Sequence, residues 1–488
     1  DKMNYISTRG QAPAVTASQA IINGIAPDGG LYVPESWPNI ELDWTQLQKQ
    51  TYADIATLIF DGFFDDFSVN EIDCVIDKAY GKQWTTEDIV SYHQADDLFY
   101  IELFHGPTLA FKDVALQALP HLMTTAAKKQ GLDDGIVILT ATSGDTGTAA
   151  MSGFGDVQHT DIVVFYPEVG VSDIQRRQMQ TEPAHNAHVT AISGNFDDAQ
   201  KAVKSLLSDQ SLAADLADKH LRFSSANSIN IGRLVPQIVY YIHAYAQLVK
   251  QHQIASGEAI NIVVPTGNFG NMLAAYYASQ IGLPVAQFVV ASNENNVLTD
   301  FFNTGTYDRQ RTFKVTNAPA MDILVSSNLE RLLYFASGRN TEEVREYMNA
   351  LDKQGHYTLK PSTQANLSQF KAASASQTEV LKTIKRVFEE ENYVIDPHTA
   401  VGQYVYNQLD ISGTTILAST ASPFKFADTV LNALGETPLN EYDGLKQLAD
   451  KSNVAIPEQI QLLFQRPVIH TQTIAPNQMT TVLRHQIF

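Results

Sequence analysis

The stretch GIVILTATSGDTG, residues 135–147, carries the pattern that decides the fold. A continuous apolar, β-rich run leads into a loop with two glycines, and the helix-like segment TAAMSGF follows. An apolar run without alternation is typical of a strand buried on both faces, as in a parallel sheet covered by helices. The segment INIVVPTGNFGN, residues 260–271, repeats this order and is followed by the helix-like MLAAYYAS. The two segments predict an α/β fold.

Other apolar runs extend the same rhythm along the chain. Helix-like sequence separates DIVVFYP (161–167), PVAQFVVAS (284–292) and TTILAST (414–420) from their neighbours. Strands that alternate with helices indicate parallel sheets with helices on both faces. The capping box SQTE, residues 376–379, predicts the start of an amphipathic packing helix.

The bulk composition is that of an ordinary soluble globular protein. The chain has 488 residues, of which 44% are hydrophobic and 18% charged, so two to four structural units are expected. No uninterrupted apolar run reaches the roughly 18 residues of a membrane span, and no secretory signal is visible at the start. Cys74 is the only cysteine, which excludes an internal disulfide and a cysteine-rich metal site. We therefore expect a cytoplasmic protein without a metal ion.

The net charge of −20 argues against nucleic acid as a partner, because no basic cluster is present to neutralise a phosphate backbone. It does not exclude a small phosphorylated ligand. Salt screens distant charges over about 8 Å, so local donors decide whether such a ligand binds.

Lys112 lies in the stretch FHGPTLAFKD, residues 104–113, among apolar neighbours just after a Gly-Pro turn. Apolar surroundings disfavour an ammonium ion, which leaves a nucleophilic amine available for a Schiff base with an aldehyde. The alternative interpretation is a surface lysine at a helix start.

The two glycine loops, SGDTG and TGNFGN, each join a strand to a helix N-terminus. Such junctions present backbone N–H groups to an anion, although many tight turns also contain two glycines. Pyridoxal 5′-phosphate, PLP, suits this combination of features. The reactive lysine can bond its aldehyde, one loop can hold its phosphate, and the other loop can hold a substrate carboxylate. Thr420, at the end of TTILAST, offers a hydroxyl for the pyridine nitrogen, and is otherwise an ordinary strand residue.

A set of motifs gives these features a specific context. In chain order they are YISTRG (5–10), DGGLYVP (28–34), FHGPTLAFKD (104–113), TATSGDTG (140–147), SANSINIGR (225–233), PTGNFGN (265–271), AMDILVSSNLERLLYF (320–335) and DPHTAVG (396–402). Together they resemble the threonine synthase family, which belongs to the tryptophan-synthase-β-like group of PLP enzymes. The segment at 320–335 resembles the longer bacterial and fungal form.

The resemblance implies two open, mostly parallel-sheet α/β lobes with the cofactor between them. It implies an N-terminal α/β domain over 1–95 and a catalytic core over 96–430, followed by a C-terminal extension over 431–488. Within the core, about 130–230 form the smaller lobe, and 96–129 plus 231–430 form the larger lobe. The implied reaction converts O-phospho-L-homoserine and water to L-threonine and phosphate. Monomer and dimer stay open, and the resemblance favours the monomer.

The resemblance also assigns roles to residues. Lys112 resembles the Schiff-base lysine, and Thr420 corresponds to the residue that faces the pyridine nitrogen. The residues that resemble the cofactor-phosphate loop are Gly267, Asn268, Phe269, Gly270 and Asn271. The residues expected to receive the substrate carboxylate are Ser143, Gly144, Thr146 and Gly147.

Four further residues carry open questions. Asp145 is expected near the cofactor's phenolic oxygen, where related enzymes have asparagine, and as an acid it accepts a hydrogen bond there only if a proton is shared. Arg233, in SANSINIGR with Asn227, is the candidate for the substrate phosphate because a guanidinium fork matches phosphate geometry. A structural arginine is the alternative. His105 and His398 are expected to make structural hydrogen bonds.

Two other classes of function stay open from the sequence. Another PLP lyase of the same group, such as threonine dehydratase or cysteine synthase, shares the lysine and both loops but lacks the segments YISTRG and DGGLYVP. A nucleotide- or phosphate-binding regulatory protein would use the loops without chemistry, but such a protein has no need for Lys112.

Overall fold

A computed structural model describes residues 2–488. The strands are β1 (Tyr5–Ser7), β2 (Tyr32–Pro34), β3 (Ser91–Ala95), β4 (Leu98–Glu102), β5 (Gly135–Ala141), β6 (Thr160–Pro167), β7 (Ala187–Ile192), β8 (Leu221–Ser224), β9 (Ile260–Pro265), β10 (Val285–Ser292), β11 (Thr306–Asp308), β12 (His356–Thr358), β13 (Phe370–Ser374), β14 (Thr415–Ser419) and β15 (Thr473–Ile474).

Helices separate most of these strands. They are α1 (Ala17–Asn23), α2 (Trp44–Leu47), α3 (Tyr52–Phe63), α4 (Val69–Ala79), α5 (Lys112–Leu116), α6 (Leu119–Lys129), α7 (Asp145–Phe154), α8 (Asp173–Gln180), α9 (Phe196–Leu207), α10 (Gln210–Asp218), α11 (Ile231–Leu234), α12 (Pro236–Lys250), α13 (Gly270–Gln280), α14 (Val297–Thr304), α15 (Leu329–Ala336), α16 (Thr341–Gln354), α17 (Pro361–Ala365), α18 (Gln377–Glu391), α19 (Pro397–Leu409), α20 (Ala427–Ala433), α21 (Glu441–Ser452), α22 (Glu458–Gln465) and α23 (Met479–Ile487). Short 3₁₀ helices occupy Pro319–Met321, Pro423–Phe426 and Pro476–Gln478.

Two sheets dominate the fold. The larger sheet has six strands in the order β13-β10-β9-β14-β4-β3, and all neighbours are parallel except the edge strand β3. The smaller sheet has five parallel strands in the order β15-β7-β6-β5-β8. The predicted α/β fold with mostly parallel sheets is confirmed.

The strands that the sequence predicted are β5, β6, β9, β10 and β14, which fill most of the two sheet centres. The sequence did not reveal β4, β7, β8 and β13. β8 (LRFS) is half-buried along its length and β13 (FKAAS) carries an exposed lysine, so neither presents a continuous apolar run. Pairing with an already formed neighbour in the sheet stabilises such strands, and that pairing is not visible locally.

The residues before the predicted boundary at 95 share their core with residues that follow it. Ile55 and Phe60 of α3 lie in one hydrophobic cluster with Tyr240 of α12 and Leu273 of α13. The edge strand β3 also precedes the predicted boundary at residue 95 yet belongs to the larger sheet. The division at 95 stays a prediction.

The residues after Leu431 reach both sheets. Leu445 of α21 and Ile460 of α22 pack in the cluster that contains Val387 of α18, beside the larger sheet. The strand β15 pairs with β7 of the smaller sheet, and Leu483 of α23 packs with Val203 of α9. The segment predicted as a C-terminal extension therefore contacts both sheets, and its limit at residue 431 stays a prediction.

No helix within residues 2–488 combines the length and apolar character that a bilayer span requires. In the same part of the chain, no three His, Cys, Asp or Glu side chains are grouped so that they could hold a metal ion.

Candidate active site

A cavity of about 770 Å³ lies where loops that follow strands of both sheets meet. The structure brings to its wall most of the residues that the sequence singled out: Lys112, Ser143, Thr146, Asn227, Arg233, Gly267, Asn268, Phe269, Gly270, Asn271 and Thr420. Gly144, Asp145 and Gly147 do not line it. Ligands of open α/β sheets bind beyond the carboxyl ends of the strands, and this cavity occupies such a position.

Lys112 is the first residue of α5, and its ammonium group lies in the cavity wall. Its Nζ donates to Thr146 Oγ1 of the SGDTG loop at 2.7 Å. Burial lowers the pKa of Lys112 from 10.5 to about 8, and the positive charges of Arg233 and Lys425 act in the same direction while Asp145 opposes them. A lysine with such a pKa holds a usable fraction of neutral amine near pH 7.

The segment that carries Lys112 is fixed to the end of β14. The backbone N–H of Phe111 donates to the carbonyl of Thr420 at 2.8 Å, and Ala110 forms an isolated antiparallel bridge with Ala421. Leu109 has a φ of 66°, in the left-handed region, so the chain turns sharply just before the lysine. These bonds place Thr420 and Lys112 at the same cavity.

The TGNFGN loop leads from β9 into the N-terminus of α13. Phe269 has a φ of 72°, and no acceptor among the described residues pairs with the backbone N–H groups of Gly267, Asn268 and Phe269. A Cβ at Gly267 would lie 2.8 Å from the carbonyl oxygen of Ala320, so only glycine fits beneath that backbone. Unpaired N–H groups at the positive end of a helix form an anion site.

Asn271 closes this loop. Its Oδ1 accepts from the hydroxyl groups of Tyr240, at 2.5 Å, and of Tyr241, whereas its buried Nδ2 has no partner in the described structure. A buried donor without an acceptor costs free energy, so this amide is prepared for a ligand.

The SGDTG loop is held from behind by Thr142. Its Oγ1 accepts from the backbone N–H groups of Gly144, at 3.0 Å, and Gly147, at 2.8 Å. A Cβ on Gly147 would come 2.4 Å from the Thr142 side chain, so this glycine permits close packing. Ser143 and Thr146 are the loop side chains at the cavity. A substrate contact by either glycine stays a prediction.

Asp145 is buried and has two partners on its Oδ1. Lys425 Nζ lies 3.0 Å away and Gln175 Nε2 donates at 2.8 Å. Although burial raises the pKa of Asp145, the ammonium groups of Lys425 and Lys112 outweigh it and hold the pKa well below its usual range. The carboxylate is therefore charged and matched by a cation of the chain. The contact with a cofactor oxygen stays a prediction.

Arg233 is a buried guanidinium at the cavity wall. Its Nη1 donates to the carbonyl of Ala226 at 2.9 Å, and its buried Nε has no partner among the described residues. Burial lowers its pKa from 12.5 to about 10, so it stays charged at neutral pH. Within residues 2–488 no carboxylate forms an ion pair with it. An unpaired buried cation is favourable only if an anion joins it.

The two histidines make hydrogen bonds within the protein, and His398 also lines the cavity, so a purely structural role stays a prediction. His398 Nδ1 lies 2.7 Å from Asp396 Oδ2, and its Nε2 accepts from the backbone N–H of Ala320 at 3.2 Å. This pattern requires the neutral tautomer with a proton on Nδ1. His105 Nε2 lies 2.7 Å from Ser91 Oγ and is not part of the cavity wall.

Sequence reasoning missed Lys425 and a group of cations at the cavity mouth. Lys425 lies in the stretch SPFKFA, between apolar residues, so the criterion that singled out Lys112 applies to it equally. The mouth carries Lys201 and Lys204 of α9 together with Arg309 and Lys353, which lie far along the chain from that helix. No local pattern in the sequence unites these four.

The fold and the site together define the class. Residues 91–377 match the family described as pyridoxal-phosphate dependent enzyme, so the chain is a member of that class. Residues 4–80 match the threonine synthase N terminus, and residues 399–485 match the threonine synthase C-terminal family. The chain belongs to the threonine synthase family.

Individual relatives agree with this membership. The threonine synthase of Pseudomonas aeruginosa is 36% identical, over 98% of this chain and 97% of its own length. The human protein called threonine synthase-like 1 is 37% identical over 96% of this chain. The chain spans 65% of the length of that protein and of the similar primate proteins.

Solved structures give the same result. The PLP-bound threonine synthase of Brucella melitensis superposes with a TM-score of 0.89 at 34% identity and covers 99% of both chains. Yeast threonine synthase superposes with a TM-score of 0.87 at 30% identity, over 99% of this chain and 98% of its own.

The residues of the cavity fit PLP. The group carries an aldehyde, a phosphate and a pyridine nitrogen, and the cavity offers a lysine, a helix N-terminus with unpaired N–H groups and a threonine hydroxyl. The partnerless amide of Asn271 lies in the same loop as those N–H groups. Each polar part of the group has a complementary group of the protein within one cavity.

Proposed function

We propose that the chain is a threonine synthase, which converts O-phospho-L-homoserine and water to L-threonine and phosphate. One observation carries this proposal: Lys112, the TGNFGN loop and the unpaired guanidinium of Arg233 share one cavity in a member of the threonine synthase family. A substrate with an amine, a carboxylate and a phosphate needs a separate site for each anion. This cavity offers a hydroxyl pair, Ser143 and Thr146, and a free cation.

PLP is the cofactor, and the residues proposed to hold it follow from the fit described above. Lys112 bonds its aldehyde, and the loop over Gly267, Asn268, Phe269, Gly270 and Asn271 binds its phosphate. Thr420 offers its hydroxyl to the pyridine nitrogen. When bound, PLP supplies a conjugated ring that stores the electron pair left on a substrate carbon after proton loss.

The proton transfers fall to Lys112. Its Nζ, held by Thr146, is the base that takes the α-proton of the substrate and later returns a proton. The pKa of about 8 keeps both protonation states accessible near neutral pH, which a group that both takes and gives a proton requires. Its place at the start of a helix, tied through Phe111 to Thr420, fixes the direction from which it approaches.

The leaving phosphate is assigned to Arg233, with Asn227 beside it on the cavity wall. A proton is lost from the β-carbon, the phosphate leaves from the γ-carbon, and the γ-carbon takes up a proton to become a methyl group. Water then adds its oxygen at the β-carbon. The protons lost from the α-carbon, the β-carbon and water are balanced by those gained at the α-carbon, the γ-carbon and the departing phosphate. A guanidinium stabilises the charge that develops on the departing group. The substrate carboxylate is assigned to Ser143 and Thr146.

The test measures three reactions with the purified protein and PLP. We expect phosphate release from O-phospho-L-homoserine with equal formation of threonine, no ammonia from threonine, and no cysteine from O-acetylserine and sulfide. Lys112→Ala should abolish turnover, and the matched control Lys382→Ala, at an exposed lysine of α18, should keep it. Borohydride should fix PLP on Lys112 in the unmodified protein.

Other outcomes would overturn the assignment. Ammonia release from threonine would make the protein a dehydratase, and cysteine formation would make it a cysteine synthase. A colourless protein that binds no PLP would indicate the binding protein without chemistry. Normal activity of Lys112→Ala would remove the basis of the whole proposal.

We also propose the wider setting that the sequence suggested. The protein works in the cytoplasm, and its single cysteine, Cys74, is compatible with a reducing compartment. Of monomer and dimer, the family resemblance favours the monomer. Domain limits at about residues 95 and 430 are part of the same proposal. Light scattering after gel filtration measures the mass directly, and a value near twice 53.8 kDa would contradict the monomer.

A further inference from the structure

Lys425 is a completely buried lysine that the reaction as described above does not use. It lies in the 3₁₀ helix Pro423–Phe426, a few residues after Thr420, and is 0% exposed. Lysine is almost never fully buried unless its charge is paired. The position next to the cavity and the complete burial together call for an account of its charge.

Its three N–H donors all have partners. Nζ lies 3.0 Å from Asp145 Oδ1, 2.9 Å from the carbonyl oxygen of Thr108 and 3.4 Å from Thr148 Oγ1. Thr108 belongs to the segment that leads into Lys112, whereas Asp145 and Thr148 belong to the loop and first helix that follow β5. One ammonium group therefore joins the larger sheet, the lysine segment and the smaller sheet.

The neighbours of this pair strengthen the same junction. Gln175 Nε2 donates to Asp145 Oδ1 at 2.8 Å, and Ser172 Oγ donates to the carbonyl of Lys425 at 3.2 Å. A Cβ on Gly144 would come 2.4 Å from the Gln175 side chain. The SGDTG loop is thus clamped between Gln175 and Lys425.

Lys425 also neutralises the negative charge of Asp145. A buried carboxylate alone would place a full negative charge beside the cofactor site, where a neutral amide suits a phenolic oxygen. Lys425 cancels that charge at 3.0 Å, so Asp145 and Lys425 together are neutral. Removing one member of a buried pair is strongly destabilising, whereas removing both is often tolerated.

We propose that Lys425 is a positioning residue of the active site, which fixes the SGDTG loop against the Lys112 segment and makes Asp145 part of a neutral pair. This inference rests on the proposed function only in taking Lys112 as the reactive amine. The ion pair of Asp145 and Lys425 is neutral as a whole, as the asparagine side chain of related enzymes is at this position.

The proposal predicts whether each substitution raises or lowers the pH at which Lys112 becomes a free amine. Three charged groups face this lysine: Asp145 favours its ammonium form, and Lys425 and Arg233 disfavour it. Loss of the Asp145 charge alone should therefore make Lys112 a free amine at lower pH. Loss of the Lys425 charge alone should do the opposite, and loss of both should leave Lys112 close to its original state.

The experiment compares Asp145→Asn, Lys425→Met and the double variant with the unmodified full-length protein. The first readout is the rate at which an amine-reactive reagent modifies Lys112 after removal of PLP, followed by peptide mass spectrometry from pH 6 to 10. The midpoint is the pH at which the modification rate of Lys112 reaches half its maximum. We expect this midpoint to fall by about one pH unit in Asp145→Asn, to rise by about one in Lys425→Met, and to return to its original value in the double variant. Lys382→Met is the control for loss of an exposed lysine.

The second readout is the dissociation constant for PLP. It should rise about tenfold or more in each single variant and return to within about threefold in the double variant. Single variants that shift the midpoint in the same direction, or a double variant that combines both losses, would overturn the proposal. If Lys425→Met does not fold, the proposal requires that the double variant folds and matches the original protein. It also requires that Asp145→Asn differs from the original protein.

The two proposals fail in different ways. If borohydride does not fix PLP on Lys112 in the unmodified protein, the proposed function is wrong. If it does, and the variants leave both the midpoint and the PLP affinity unchanged, only the role of Lys425 is wrong.

Discussion

Lys112 shows at the scale of one residue how burial creates reactivity. Its pKa falls from 10.5 to about 8 because burial disfavours the ammonium form, and Thr146 supplies a single hydrogen bond. In the unfolded chain the lysine has its ordinary pKa. Folding therefore weakens proton binding at this position, and the protein is less stable wherever the lysine must stay charged.

This cost predicts a pH-dependent gain from removing the lysine. At pH 7 the cofactor-free variant Lys112→Met should be more stable to urea than the original protein, by up to about 3 kcal/mol. The gain should be complete below pH 8 and shrink between pH 8 and 10.5, because the folded lysine then loses its proton first. Lys382→Met should show no such trend. A gain that grows with pH would contradict the assignment.

At the scale of the element, the TGNFGN loop depends on how closely two pieces of backbone approach. A Cβ at Gly267 would lie 2.8 Å from the carbonyl oxygen of Ala320, but a Cβ at Gly270 would find its nearest atom at 3.5 Å. The Ala320 segment is held by His398, whose ring accepts its N–H, so it has little freedom to move away. The two glycines serve different purposes within one loop.

The contrast gives a matched pair of variants. Gly267→Ala should lower the free energy of unfolding of the cofactor-free protein by about 1–3 kcal/mol, because overpacking against backbone forces a shift. Gly270→Ala should change it by less than about 1 kcal/mol. Urea denaturation of both proteins provides the comparison, and equal losses would show that packing under Ala320 is not what requires Gly267.

The same elements show what the sequence could predict and what it could not. The strands β5 and β9 and their glycine loops are local patterns, so both were predicted, as was the position of Lys112. Asp145 had no partner until the fold placed Lys425 beside it, since the two are far apart in the chain. Thr142 accepts hydrogen bonds from the backbone N–H groups of Gly144 and Gly147. These bonds depend on the exact geometry of the turn, which the sequence does not reveal.

At the scale of the whole molecule, the charge is unevenly arranged. The net charge is −20, yet Lys201, Lys204, Arg309 and Lys353 stand at the cavity mouth, and Arg233 lies deeper. Asp197 and Asp322 are the acidic residues on the same wall. A positive entrance on a negative molecule attracts small anions to one place and repels them elsewhere.

This arrangement predicts a salt-dependent rate. The kcat/KM for the proposed substrate, O-phospho-L-homoserine, should fall as ionic strength rises, because the Debye length shortens to about 8 Å at physiological salt. The triple variant of Lys201, Lys204 and Lys353 to Gln should lower kcat/KM by about 2–10-fold and flatten the salt dependence, with kcat unchanged. The same change at the exposed Lys382, Lys385 and Lys446 is the control.

The pairing of β15 with β7 has a consequence for the order in which the molecule is built. Ser193 donates to the carbonyl of Ile474, a bond that spans 281 residues of chain. While the chain is being made, the end of β7 at Ala191 and Ile192 lacks its partner strand, and the cluster that contains Val203 lacks Leu483. An open edge of this kind pairs readily with another chain. The smaller sheet is therefore open to pairing with another chain until β15 has been synthesised.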